Sequence, residues 1–457
     1  MAVEAAAPQA GAGPQPGAWQ GRPPGIPGSV PPPSVPLSFL AVAALGLVAC
    51  GAALAWSGVT GVTDPSSARV IAAAHLAVLA TLSMGVMGAM HQFTPVITQR
   101  PLRSITLARW TLASWFVASW LLPIGVAIRQ ETIVIVGGGC AALAIALLVA
   151  NLSSPLAARG RGAPVTGLRL ALAGFVVTGT FGVVYVADRS GAWFDLAGHI
   201  LLAHAVVGVF AWLGLAYIAV AEKLWPMFFL AHVPGKHRAG WVAVCTVPAG
   251  VALLSPGLLF GVLPLACAGA AIAGVGIAAH LVSLGVHVRH RRRKADLHLL
   301  FILVSAAWLG VGGGLALAGV LVMGSRYHTG VMLVTAAVAA LAGWILETIV
   351  GHVHKVVPFI MWSVLRSRGV AKNPAGKPLM FADLYNHALA GVAFGLVTAG
   401  VAGVCIGFAA SLAWALAAGG VLLGLTGLVV AVNLSYAPHR MLATAASRPP
   451  VEVPAAA

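Results

Sequence analysis

The sequence contains few charged residues for its length. Only 8% of its 457 residues are charged, and ten of these are acidic. A soluble chain of this length could not stay dispersed with so few charges on its surface, so the composition excludes a soluble protein. The mean hydropathy of +0.97 and the 60% of hydrophobic residues instead predict an all-α polytopic membrane protein.

Cysteine is also scarce, and no two cysteines form a Cys-x-x-Cys pair. Each cysteine stands alone inside an apolar run, which predicts small buried side chains and not a metal or redox motif. The five are Cys50, Cys140, Cys245, Cys267 and Cys405.

The first 35 residues lack the composition of a folded domain. Residues 1–35 are mostly Ala, Gly and Pro, with Trp19 as their one aromatic residue. They cannot bury enough apolar surface to become ordered, and they lack the basic start and apolar core of a signal peptide. We expect residues 1–35 and 437–457 to be cytoplasmic tails, the first of them disordered.

Between the tails, residues 36–436 are expected to form one membrane domain of about twelve helices. An apolar run must be about 20 residues long to cross roughly 30 Å of hydrocarbon. Runs of sufficient length fall near 36–58, 69–96, 104–128, 131–153, 165–187, 196–224, 239–261, 263–287, 299–323, 329–362, 385–410 and 412–436.

Lys and Arg are distributed unequally between alternate loops. They concentrate near residues 100–103, 159–161, 223–238, 289–294, 366–377 and 440–448, whereas the opposite loops hold only Arg69, Arg129, Arg189 and Arg326. By the positive-inside rule, both termini are cytoplasmic in an integral protein of the cytoplasmic membrane. The basic stretch at 287–298 is typical of a loop anchored on anionic lipid. We therefore expect the lipid bilayer as a partner, and no nucleic acid.

Three of the apolar runs end alike, which predicts a pseudo-three-fold internal repeat. Each run contains a proline: Pro95, Pro226 or Pro358. A polar residue stands four positions before each proline, and a second polar residue stands three positions before it. The first set is His91, Glu222 and His354, and the second is Gln92, Lys223 and Lys355.

The chain has fifteen histidines, and ionisable residues within a membrane suggest function. A neutral imidazole on an apolar helix can bind a metal or haem iron, relay protons, or satisfy a hydrogen bond between helices. Near the outer face, His75 and His204 lie well inside their spans, while His199 lies near a span end. His91 and His354 lie near the inner ends, where a structural role and a proton relay both stay open, as they do for Glu222.

Twelve spans, a three-fold repeat and membrane histidines in spans two and six resemble the haem–copper oxidase subunit I superfamily. The nearest branch contains the nitric-oxide reductases and NnrS-like membrane proteins, and the resemblance covers roughly residues 36–436. It implies that His75 occupies the position of a low-spin haem ligand and His204 that of a non-haem metal ligand, with His199 as a further metal candidate. Haem, copper or iron would be the cofactor, and other respiratory subunits would be partners.

Other positions depart from that family. Its tenth span carries a His-x-His pair, but His352 here lies about 23 residues into span ten and His75 about six into span two. That difference is roughly 25 Å along the membrane normal, so one haem iron cannot join them. Span seven lacks the paired metal-binding histidines, and Gly208 stands one turn from His204 where a Tyr would be needed. These departures argue against a complete oxygen-reducing centre.

The expected function is therefore electron transfer, nitric-oxide or haem handling, or a respiratory accessory role. Whether the protein is an enzyme stays open; an enzyme would be a membrane oxidoreductase of the cytochrome oxidase or nitric-oxide reductase type. A twelve-span secondary transporter and a purely structural subunit are the alternatives. Glu347, a lone carboxyl in span ten, is expected either to hold a proton or to pair with Lys355.

Overall fold

The computed structural model describes residues 30–157, 162–191, 197–234, 238–323 and 330–446. Within these ranges it contains twelve helices that are long and apolar enough to cross a membrane, which confirms the predicted all-α polytopic architecture. We number them α1–α12: Ser34–Val59, Ala68–Thr98, Ile105–Ile128, Glu131–Leu156, Gly162–Asp188, Ile200–Phe229, Ala239–Leu259, Leu263–Arg289, Leu297–Val322, Val331–Ser367, His387–Ala409 and Ala413–Ser435.

Several helices start at residues that cap them. The hydroxyl of Ser104 accepts hydrogen bonds from the backbone N–H groups of Thr106 and Leu107 at the start of α3. The side chain of Asn386 accepts the equivalent bonds at the start of α11. These caps satisfy N–H groups that have no partner within the helix. The last helix continues to Ala446, so the predicted C-terminal tail begins as helix.

Helices α2, α6 and α10 each contain a π-helical segment in the same register. The segments are Leu76–Ser83, Val207–Gly214 and Ala339–Leu346. Each begins nineteen residues before the proline within its helix, namely Pro95, Pro226 and Pro358. The prolines thus mark equivalent positions, and the structure divides into repeats α1–α4, α5–α8 and α9–α12.

Contacts between the first two helices of each repeat follow one pattern. The contact points are seven residues apart on the first helix and eight apart on the second. They are Phe39–Gly88 and Gly46–Ala80 in the first repeat, Gly167–Ala219 and Gly174–Ala211 in the second, and Phe301–Gly351 and Trp308–Gly343 in the third. A π turn contains more residues than an α turn, which accounts for the extra residue on the second helix.

The other two helices of each repeat form a closely packed hairpin. A Cβ added at Gly137, Gly250 or Gly407 would lie less than 3 Å from the partner helix. In two repeats a further bond has identical spacing: Ser104 N donates to Asn151 Oδ1 at 2.9 Å, and Asn386 N donates to Asn433 Oδ1 at 2.7 Å, each across 47 residues. The repeating unit therefore comprises four helices.

The second helices of the three repeats meet in the middle of the bundle. Trp212 of α6 donates to Ser83 of α2. A Cβ added at Gly214 of α6 would lie 2.7 Å from the Trp344 ring of α10, and one added at Gly85 of α2 would lie 3.6 Å from Ile349 of α10. α2, α6 and α10 therefore form the core, and the remaining helices surround it.

The loops fall at two ends of the bundle. We call the end at which α2, α6 and α10 finish the basic end, because the loops near residues 100, 234, 293 and 370 lie there. Residues 63–65, Val331 and Ser411 line a common cavity at the opposite end.

The cysteines only partly follow the prediction. Cys50 and Cys405 are buried and Cys140 is intermediate, but Cys245 and Cys267 are exposed on the surface of the bundle. The prediction of five buried thiols was therefore wrong for these two. An apolar run in a membrane protein has a lipid-facing side as well as a core-facing side, and composition does not distinguish the two.

Candidate functional site

Two histidines from different repeats lie at similar positions toward the opposite end of the bundle. His75 is the last α-helical residue before the π segment of α2, and His204 lies three residues before the π segment of α6. The two imidazoles are close enough to interact electrostatically. The residues that the sequence placed at similar depth are thus within electrostatic range of each other.

The same ring nitrogen is held in both imidazoles. His75 Nδ1 lies 2.8 Å from the carbonyl oxygen of Ile71, and His204 Nδ1 lies 3.0 Å from that of Thr178 in α5. A carbonyl oxygen only accepts hydrogen bonds, so Nδ1 carries the proton and Nε2 keeps its lone pair. Histidines that bind metals are oriented by such bonds.

Two glycines lie in the contact between α5 and the part of α6 that carries His204. A Cβ added at Gly182 would lie 3.5 Å from Cε1 of His204, and one added at Gly208 would lie 3.3 Å from the methyl group of Thr178. No group of three or more His, Cys, Asp or Glu side chains that could hold a metal occurs in the described ranges. Among the described side chains, His75 and His204 therefore offer at most two ligands of this kind; the side chain of His199 lies outside the described residues.

The polar residues four positions before the prolines lie within their own repeats. His91 stacks on Phe39 with ring centroids 5.0 Å apart, and His354 stacks on Phe301 at 6.0 Å. Their Nδ1 atoms face the carbonyl oxygens of the residues four positions earlier. Their Nε2 atoms are buried without a hydrogen-bond partner among the described residues.

The third residue of this set, Glu222, packs against the first turn of α7. A Cβ added at Gly240 would lie within 3 Å of its carboxyl group. Each of the three side chains thus contacts another helix of its own repeat. Whether they relay protons or only pack remains a prediction.

Glu347 is buried and is held by a neighbouring helix. Its Oε1 accepts a hydrogen bond of 2.6 Å from the hydroxyl of Thr398 in α11. Lys355 instead pairs with Asp296, with 2.5 Å between Nζ and Oδ2. The predicted pairing of Glu347 with Lys355 was therefore wrong: Asp296, in the loop before α9, lies nearer to the lysine than a carboxyl two turns along the same helix.

The structure also reveals a cluster that no sequence motif indicated. It comprises three histidines and three aromatic residues from α6, α8, α9 and α10: Tyr217, Trp225, His280, His298, Trp344 and His352. We call it the histidine–aromatic cluster. The histidines are far apart in sequence, so their only sequence signal was that each stands in or beside an apolar run near the basic end.

A phenol lies beside His354 at the basic end. The ring centroid of Tyr385 is 5.8 Å from that of His354 and 4.4 Å from that of His387. Burial raises the pKa of Tyr385, Asp296 raises it further, and Arg293 lowers it. The phenol therefore stays protonated at neutral pH and can donate a hydrogen bond.

Comparisons of the chain with protein-family models and with curated proteins find no match.

Proposed function

We propose that this protein is a haem–copper-oxidase-like membrane protein that holds one haem or metal ion between His75 and His204. Its role is electron transfer, or the handling of nitric oxide or haem, and not the reduction of oxygen. The observation that carries the proposal is the similar placement of these two imidazoles, which come from two repeats, each just precede a π segment, and lie within electrostatic range of each other. π segments inserted in α-helices frequently occur at functional sites.

The chemistry of the pair supports this assignment. The bonds from Nδ1 to Ile71 and Thr178 fix each ring and leave each Nε2 free to bind a metal. A haem or metal ion, when bound, supplies one-electron chemistry or a site for a small gaseous ligand. The protein's own part is to orient the rings and to limit access of water, since both histidines are partly buried.

The surroundings of the pair argue against oxygen reduction. That chemistry, in the family that the chain resembles, needs further metal ligands and a tyrosine one turn from His204. The neighbouring position is Gly208, and Thr178 occupies the space into which a larger side chain would extend.

We further propose that the basic end faces the cytoplasm and that the protein is integral to the cytoplasmic membrane. The unequal distribution of Lys and Arg supports this orientation. Membrane lipid covers the exposed apolar side chains of the outer helices, and other respiratory subunits are the proposed protein partners.

The decisive experiment is an absorption spectrum and metal analysis of the full-length protein purified in detergent. We expect a Soret band or a stoichiometric metal in the wild type, and its loss in His75→Ala and His204→Ala. His290→Ala is the matched control, because His290 also bonds through Nδ1 to a carbonyl but lies at the basic end. A wild type with neither haem nor metal would falsify the cofactor proposal.

A secondary transporter is the alternative, and buried Glu347 is the observation that favours it. Carboxyl groups buried within membrane spans serve proton relays in transporters. A proton-coupled carrier would lose uptake in Glu347→Gln while keeping its fold, because the amide oxygen can still accept from Thr398. A cofactor-binding protein would keep its spectrum in the same variant.

A further inference from the structure

Two arginines share one cavity at the end of the bundle opposite the basic end. The cavity has a volume of about 290 Å³ and is lined by Val62, Ser67, Ala68, Arg69, Ala127 and Arg129. A cavity needs only about 10–15 Å³ to hold one water molecule, so this one has room for a group of several atoms. The loops at this end hold few basic residues, yet two of them lie at the same site.

Neither guanidinium group is neutralised by a carboxylate. None of the lining residues is acidic, and neither Arg69 nor Arg129 forms an ion pair with any described residue. Arg69 Nη1 donates to the hydroxyl of Thr60 at 3.0 Å, which orients the side chain without changing its charge. Asp64, a nearby acid, instead accepts from the hydroxyl of Ser66 through both carboxylate oxygens. The cavity is therefore positively charged and attracts an anion.

The donors around the cavity suit a phosphate group. A guanidinium group presents parallel N–H groups that bind two phosphate oxygens at once, and such charge-assisted hydrogen bonds are stronger than neutral ones. The hydroxyl of Ser67 accepts from the backbone N–H of Val70 and can still donate its own proton. Arg69, Arg129 and Ser67 thus offer donors from two helices to one anion.

The cavity also lies at the depth of lipid headgroups. Ser67 directly precedes α2 and Arg129 directly follows α3, so both stand where helices leave the hydrocarbon. Exposed apolar side chains adjoin the site: Ile128, next to Arg129, is 54% exposed, and Val59, next to Thr60, is 72% exposed. Acyl chains would cover these side chains, whereas a small soluble anion would leave them uncovered. The surroundings therefore favour a lipid over a free anion.

We propose that Arg69 and Arg129 bind the phosphate group of an anionic membrane lipid in the leaflet at this end of the bundle. The apolar faces of the outer helices contact lipid of any kind, but this site selects a charged headgroup. Binding is non-covalent and joins the start of α2 to the end of α3. The site is separate from the His75–His204 pair and does not depend on the proposed cofactor, so His75→Ala should retain the bound lipid.

The test is native mass spectrometry of the full-length protein, purified in detergent and titrated with dioleoylphosphatidylglycerol. Dioleoylphosphatidylcholine, which has the same acyl chains but no net charge, is the comparison and should bind more weakly. We expect Arg69→Gln and Arg129→Gly each to weaken binding of the anionic lipid about tenfold, as the loss of one hydrogen bond to a charged group implies.

Both substitutions are chosen to preserve the fold. Arg129 has a φ of 57°, a conformation that glycine adopts without strain. Arg69 lies in the first turn of α2, where a positive charge opposes the helix dipole, so its removal does not destabilise the helix. Thermal unfolding in lipid-free detergent should therefore be unchanged or shifted to higher temperature in Arg129→Gly.

Arg292→Gln controls for lipid bound by the exposed basic loop at the other end. Its effect should add to that of Arg129→Gly, because the two residues lie far apart, whereas the effects of Arg69→Gln and Arg129→Gly should combine to less than their sum. Equal affinity for the two lipids, or unchanged affinity in both cavity variants, would overturn the proposal. Binding of inorganic phosphate as tightly as phosphatidylglycerol, lost in both variants, would identify a soluble anion instead of a lipid and overturn it as well.

Discussion

The indole N–H of Trp212 donates a hydrogen bond to the hydroxyl of Ser83, with 3.0 Å between the two atoms. Both residues are buried, and each belongs to the π segment of its helix. The bond therefore joins the first and second repeats at the centre of the bundle. Hydrogen bonds between membrane helices contribute about 0.6 kcal/mol on average and up to about 1.7 kcal/mol.

We expect Ser83→Ala to lower the free energy of unfolding by about 1 kcal/mol, because the buried Trp212 N–H loses its partner. Unfolding in detergent mixtures, monitored by tryptophan fluorescence, measures this loss. Ser153→Ala is the control, because Ser153 is exposed and bonds only to its own helix. An equal effect of both substitutions would mean that the inter-repeat bond does not contribute.

Gly46 allows α1 to lie directly against the π segment of α2. A Cβ at this position would be 2.3 Å from the carbonyl oxygen of Ala80, so Gly46→Ala must displace one helix. Overpacking of this kind costs about 1–3 kcal/mol, and we expect a corresponding fall in thermal stability. Gly138→Ala, in α4, is the control, because its Cβ would meet nothing within 4 Å and should leave stability unchanged or slightly higher.

Gly182 lies against His204, one of the two proposed cofactor ligands. We expect Gly182→Leu to weaken haem or metal binding without removing a ligand, because the new side chain would displace the imidazole, which lies 3.5 Å from the position of an added Cβ. Cofactor content per purified protein is the measurement. Gly313→Leu in α9, where an added Cβ has nothing within 4 Å, should retain the wild-type content.

The charge distribution predicts the orientation of the bundle. Reporter fusions at residues 160, 293 and 370 should all report the cytoplasm, because the adjacent loops hold most of the Lys and Arg residues. A fusion after residue 62 should report the opposite side. Export of any one of the first three would contradict the twelve-span orientation.

Composition and local pattern were sufficient to predict the architecture. Crossing a membrane requires a long apolar run, and each such run is visible in the sequence without knowledge of its neighbours. Pro95, Pro226 and Pro358 also revealed the three-fold repeat, since an internal proline is read directly from the chain. The equal distance from each π segment to its proline then supported that repeat independently.

The sequence alone did not predict the π segments or the contacts between repeats. A π turn and an α turn have similar sequence requirements, and packing against the neighbouring helix selects between them. The sequence could place His75 and His204 at one depth, but depth along a helix does not specify the direction in which a side chain points.

Only the tertiary structure determined which buried polar groups meet. Lys355 pairs with Asp296 and not with Glu347, and the ring of His298 contacts that of His352 edge to face, although each pair is more than 50 residues apart in sequence. Hydropathy reflects the free energy of transferring a single segment into lipid, whereas these pairings depend on the rotation and crossing of separate helices. Twelve spans follow from the transfer of each segment on its own, but the contacts between buried polar side chains exist only where separate helices pack together.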